Sequence, residues 1–451
     1  MRSLDGFLSG DHLLSTGRAF ERLDPKVRAL VTYEPQALWE LDTAALPKAL
    51  GEYRRRMRGF AQSVLRPHAL ELDCDTHGPK SMEILAEAAR QGLLSDLLPA
   101  PFGTLPLRLA TRPPQLVLSI KMEELCTACA GLGIMICVHA LGTMPLLLTG
   151  NVSTIFRHVI SANKANRNGA ERLYAFAITE PGGGSDVEDN EGAAAYRPQT
   201  TAKQANGGWI INGRKVFISG GDLAHGATVF AALEGEGMES WTCFLIEKSM
   251  KGFQVGRNEL KMGQRAVAAT ELIFDDVFVP DSHLVGGLRN GWALNRAVLS
   301  FSRIPVGAIA LGIARGAMES AIEFACRTTM AGKALVNYQE IQLQIAQMMI
   351  DTAAMRSMIW QAAGTWKPNQ ARASMTKVFC SDTAVAVCES AMELLGAHGF
   401  LKGNSVEKSY RDARVTQIYE GTNQINRLAV IEDQASWLLD QCENVGGNDN
   451  G

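Results

Sequence analysis

A carboxylate placed to act as a base stands near the C-terminus: Glu420, in the run Ile418-Tyr419-Glu420-Gly421-Thr422-Asn423-Gln424. It follows the charged stretch Arg411-Asp412-Ala413-Arg414 and precedes an apolar helical pattern beginning near Ile425. Gly421 lets the backbone approach a ligand closely, and Thr422 can cap the next helix. A carboxylate held there can take a proton from a bound substrate, although the same residues also make an ordinary turn and N-cap. The second stretch with chemical content is Tyr174 to Asp186, YAFAITEPGGGSD. Its consecutive glycines 182 to 184 permit positive φ and expose backbone N–H groups, which suits an anion such as a pyrophosphate. The spacing is not that of GxGxxG and no βαβ pattern surrounds it, so a nicotinamide-binding Rossmann site is disfavoured. Cys126 and Cys129 form a C-x-x-C, but Cys380 and Cys388 supply no second pair at matching spacing. Core thiols are expected, the histidines are dispersed, and no metal is assigned.

Elements must hold these residues in place, and 451 residues, 46% hydrophobic and 20% charged, are enough for two or three domains. A net charge of −3 offers nucleic acid no basic field. Nine scattered cysteines point to a reducing compartment rather than a disulfide framework. No apolar run is expected to reach the roughly 18 residues of a membrane span. The opening MRSLDGFLSGDH lacks an apolar signal core, so a cytoplasmic, unprocessed chain is expected. Residues 1–45 read as an extension without sustained periodicity.

Residues 46–172 read as a helical domain: Tyr53, Met57, Phe60, Val64 and Leu65 recur at near-helical spacing, followed by Met82 to Leu94 and Leu116 to Leu125. Arg54-Arg55-Arg56 reads as a solvated helix face. From 173 to 285 the period becomes strand-like, with Asn212-Gly213 as a hairpin signal, which predicts an antiparallel barrel-like middle domain. Residues 286–435 carry long apolar patterns at Ala293 to Phe324, Tyr338 to Ala363, Ala371 to Leu395 and after Thr422, a four-helix bundle; 436–451 form a tail.

The segment RDARVTQIYEGTNQINR, Arg411 to Arg427, resembles the C-terminal signature of the acyl-CoA dehydrogenase family. TEPGGGSD resembles that family's TEPxxGSD motif, and GWIINGRKVFISGG its second flavin strand. RGFAQSVLRPHALELD and AARQGLL resemble its opening helices. The resemblance implies a mostly α fold with a β middle domain between an α-helical N-terminal domain and a C-terminal bundle. It implies noncovalent FAD and an acyl-CoA substrate oxidised to the 2-enoyl-CoA. By that resemblance Glu420 would remove the α-proton, and its backbone N–H with a flavin hydroxyl would polarise the thioester. On the same match Ile178 and Thr179 would contact the isoalloxazine, with Gly184 and Ser185 near cofactor phosphate and the CoA chain. Phe217 and Ser219 supply an aromatic face and a hydroxyl where the family more often has tryptophan and threonine. Arg303, Tyr419 and Gly421 belong on the substrate side, Thr422 and Gln424 on the cofactor side. Arg327 would reach the flavin pyrophosphate of a neighbouring subunit in a homotetramer. Electrons would pass to an electron-transferring flavoprotein or a similar acceptor.

Departures from the pattern are local. Arg327 is one residue out of register with Gly332-Lys333, and an accompanying aromatic is missing. Glu393 stands where a glutamine commonly precedes the glycine-rich run, here Leu395-Gly396-Ala397-His398-Gly399. Residues 149–172, mostly NVSTIFRHVISANKANRNGAER, do not follow the family connection. A second family position for the base falls on Ser302, which is no carboxylate. An acyl-CoA oxidase shares these residues, a flavin monooxygenase of this fold does not need Glu420, and a noncatalytic assembly protein could retain the fold without flavin.

Overall fold

The computed structural model describes residues 22–28, 37–74, 79–188 and 190–446. Much of the predicted N-terminal extension and the end of the tail lie outside the described residues. In the first domain, helix α1 (Lys48–Phe60) buries Leu50, Tyr53, Met57 and Phe60, the face set by its helical spacing. Helices α2 (Pro79–Arg90), α3 (Pro114–Ala128) and α4 (Ala130–Leu148) follow, with extended Cys129 separating the last two. Pro114 opens α3, where a missing N–H costs nothing. The arginine run is corrected in one member: Arg55 and Arg56 are exposed, but Arg54 is completely buried. It pairs with Glu123 at 2.9 Å and Glu124 at 2.8 Å on α3. The expectation about membrane length is also corrected, because α4 reaches it with a mean hydropathy of 1.9. Its apolar window is 72% buried against the sheet and neighbouring helices, which identifies a core helix.

The middle domain contains strands β1 (Tyr174–Ala177), β2 (Thr201–Ala205), β3 (Gly208–Ser219), β4 (Gly226–Leu233), β5 (Thr242–Glu247), β6 (Phe253–Asn258), β7 (Ala269–Pro280) and β8 (Leu284–Val285). Their order is β6-β7-β3-β2-β4-β5-β8, largely antiparallel, with β1 and β2 both parallel to β4. The hairpin prediction chose the wrong Asn-Gly. The two-residue turn is Asn206-Gly207, closed by Ala205 opposite Gly208. Asn212-Gly213 instead lies inside β3, where the register to β7 shifts between Ile211 and Gly213. Asn212 there exchanges two side-chain bonds with Asp276, of 2.9 and 2.8 Å, fastening a bulge rather than turning the chain.

The C-terminal bundle is built from α5 (Gly291–Arg327), α6 (Gln339–Ala363), α7 (Gln370–Leu395), α8 (Ser405–Thr416) and α9 (Asn423–Asp433). The fourth arm is therefore divided. The polar composition of α8 hid it from apolar periodicity, and the break between α8 and α9 carries Glu420. The bundle is clamped to the first domain by Arg315 and Arg356, which join Arg54 on Glu123 and Glu124. Together with bonds from the arginines, this holds the Glu123 carboxyl far below the usual range despite the opposing effect of burial.

Candidate active site

After α8, Glu420 takes φ 57° and Gly421 φ 80°, consecutive left-handed residues that reverse the chain before Thr422. The conformation is strained for glutamate, and its neighbours overdetermine it. The Glu420 carbonyl accepts from Arg303 Nε at 3.2 Å and Asn426 Nδ2 at 3.3 Å. The Gly421 carbonyl accepts from Lys377 Nζ at 2.7 Å and Asn426 Nδ2 at 2.9 Å. Thr422 Oγ1 then caps α9 by accepting from Ile425 N–H at 3.4 Å. At the carboxylate itself, Ser302 Oγ donates to Glu420 Oε2 at 2.5 Å. Pro305 follows within the same helix, removing one backbone donor just beyond this contact. Tyr419 is half-buried; its hydroxyl accepts from Gln264 Nε2 at 3.3 Å, and burial pushes its titration up, keeping it neutral.

The glycine-rich loop is held differently from the expected anion nest. None of Gly182, Gly183 and Gly184 takes positive φ, and the Gly183 N–H is spent on the Glu180 carbonyl at 3.2 Å. Space requires the glycine: a Cβ on Gly183 would lie 2.3 Å from the Tyr196 ring. Glu180 staples the loop, accepting from Lys215 Nζ at 2.8 Å, Tyr196 Oη at 2.7 Å and the Gln199 N–H at 2.6 Å. Burial would raise its titration, but these donors outweigh it and hold it low. Val216 N–H reaches the Thr179 carbonyl at 2.8 Å, so the strand before Phe217 is sewn to the loop. Phe217 has φ 60° at a second β3 bulge and is 58% exposed, which excludes an ordinary core role. Ile178, Thr179, Gly184, Ser185 and Ser219 are all half-buried.

The two motifs meet directly. Thr422 N–H donates to Ser185 Oγ at 3.3 Å, joining residues 237 positions apart. Arg303 is 3% exposed and also bonds Ser374 Oγ at 3.1 Å, so it positions the Glu420 turn. Gln424 is exposed on the first turn of α9. Arg327 stands apart, at the end of α5, with its side chain 78% exposed and paired to Glu323 at 2.6 Å. Lys377 and Ser374, both on α7, and Gln264, ahead of β7, were missed from sequence because they carry no local motif: Lys377 reaches the Gly421 carbonyl, Ser374 steadies Arg303, and Gln264 bonds Tyr419. Cys126 and Cys129 are buried, with thiols pushed up by that burial.

Three family models match in chain order: the acyl-CoA dehydrogenase N-terminal domain over residues 48–154, middle domain over 175–277 and C-terminal domain over 289–434. The chain belongs to the acyl-CoA dehydrogenase family. An acyl-CoA dehydrogenase of Bacillus subtilis is 33% identical over 382 residues, 84% of this chain and 95% of the relative. Among solved structures, butyryl-CoA dehydrogenase from Megasphaera elsdenii superposes with a TM-score of 0.77 at 27% identity, covering 87% of this chain and 99% of that one. An acyl-CoA dehydrogenase from Bacillus anthracis complexed with FAD gives 0.77 at 25% identity, over 89% and 68%. Members of this acyl-CoA dehydrogenase family are flavin-dependent oxidoreductases.

Proposed function

We propose that this chain binds FAD and oxidises an acyl-CoA thioester to its 2-enoyl-CoA, with Glu420 as the α-proton base. The observation that carries the reading is the contact of the Glu420 turn with the glycine-rich loop through Thr422 and Ser185. The exposed face of Phe217 and the partly exposed hydroxyls of Thr179, Ser185 and Ser219 fit a flat polar ring system. FAD, when bound, supplies the hydride acceptor for the β-carbon. Glu420 receives the α-proton on its carboxylate, and its backbone N–H is assigned to the thioester oxygen. Ser302 holds Oε2 in place beforehand, while Arg303, Lys377 and Asn426 fix the backbone beneath the base.

Assembly as a homotetramer, and transfer of electrons to an electron-transferring flavoprotein, belong to the same proposal. The test is anaerobic single-turnover reduction of bound flavin by a panel of acyl-CoA thioesters. Glu420→Gln keeps the shape but removes the acceptor, so reduction slows by roughly 10²-fold to 10⁴-fold while acyl-CoA still binds. Reduction at the parent rate would remove Glu420 from this role, and a colourless protein that does not take up FAD would remove the enzyme reading.

A further inference from the structure

The segment 149–172, which departs from the family connection, brings His158 into a cluster that the acyl-CoA chemistry does not use. His158 lies in a π-helical turn, Ile155–Ile160, a geometry that re-aims side chains and is frequent at functional positions. Glu247 ends β5, and His283 closes the 3₁₀ turn Asp281–His283 before β8. One ring nitrogen from each histidine and one Glu247 oxygen lie within 4.8 Å of one another. His158 Nδ1 is 3.7 Å from Glu247 Oε1, and the two imidazole centroids are 5.0 Å apart. The His158 side chain is only 5% exposed, yet its Nε2 has no hydrogen-bond partner. The nitrogen nearest Glu247 is Nδ1, which is the His158 atom assigned to the cluster.

The surroundings resemble the outer support of a ligand set. Ser282 Oγ lies 3.2 Å from His283 Nδ1, which leaves Nε2 as that ring's coordinating atom. Tyr174 Oη at 3.3 Å and Arg172 at 3.4 Å both engage Glu247 Oε1. We infer that His158, Glu247 and His283 bind one divalent transition metal ion of zinc-like chemistry, fastening the π-helical turn to the edge of the β-domain. Two imidazole nitrogens and one carboxylate are a zinc ligand set that keeps a fourth position for water. Ligand atoms around such an ion sit roughly 3.4 Å apart, so only side-chain adjustments of about 1 Å are needed. Arg172 and His225 act electrostatically on Glu247, and Arg157 on His283. Their positive charge opposes any dication alike; the choice of metal comes from the donors, since calcium and magnesium need several oxygen ligands and two of the three here are imidazole nitrogens.

The test uses the full chain as purified, stripped with a chelator, then titrated with zinc or cobalt(II) by calorimetry and visible absorption. One ion per chain is expected, with a Kd of roughly 1 µM or tighter for zinc. His283→Gln, at a half-buried surface turn, and Glu247→Gln each weaken binding by about 100-fold or more and abolish the cobalt spectrum, with unchanged circular dichroism. Failure of the parent protein to bind zinc, or equal binding by both variants, overturns the proposal. Flavin content and acyl-CoA turnover are separate readouts, so this result does not depend on the assignment of Glu420.

Discussion

Glu420 shows how a single residue's backbone reports its work. A glutamate at φ 57° is costly by about 1–3 kcal/mol, and three side chains, Arg303, Lys377 and Asn426, hold the turn in that state, with Ser374 steadying Arg303. Its identity as the candidate base was legible in the local motif; the strain was not, because φ depends on donors from α5, α7 and α9. Ser302, on α5, contacts the Glu420 carboxylate. Glu420→Gly should be nearly inactive, and adding Ser302→Glu should restore part of the rate of flavin reduction; no recovery would mean that a carboxylate at 302 does not reach the same α-carbon. Phe217 makes a second case. Its aromatic side chain is exposed on a strained bulge, so Phe217→Ala should weaken FAD by about 10-fold through the lost face, read from absorbance during FAD titration.

At the scale of elements, the molecule is joined by buried charge. Glu123 and Glu124 on α3 are met by Arg54 from α1, Arg315 from α5 and Arg356 from α6. Glu123→Gln leaves three guanidinium groups poorly compensated and should cost about 3–5 kcal/mol, measured by urea denaturation. A second seam joins α4 to β1. His139 Nδ1 accepts from the Tyr174 N–H at 3.2 Å, its Nε2 lies 3.3 Å from Asn163 Oδ1, and burial lowers its pKa from 6.5 to about 4. Between those values the unfolded chain binds more protons than the folded one. Stability is therefore full above pH 6.5 and falls as pH drops toward 4, by about 3 kcal/mol at the low end. Denaturation at several pH values should show this slope, and His139→Asn should flatten it.

For the whole molecule, Arg327 stands far from the Glu420 turn of its own chain. It lies 24 residues beyond Arg303 on α5, roughly 36 Å along the helix axis, and cannot serve the same chain's Glu420 turn. Large apolar side chains are also exposed along the bundle, including Leu343, Ile350, Leu428 and Ile431. These features support the proposed assembly. Arg327→Ala should loosen FAD in the oligomer by about 10-fold, the loss of one charge-assisted contact; an active, flavin-loaded monomer by light scattering would refute a cross-subunit role. By itself, the sequence determined the family, the order of helical and strand-rich regions and the chemical identity of the candidate base, because motifs and periodicity are local properties. It misread Arg54, the Asn-Gly pairs and the glycine loop, and it left His158, Glu247 and His283 unconnected. Only the tertiary structure decided those points, since burial, register and side-chain partnership depend on surfaces that meet from distant parts of the chain.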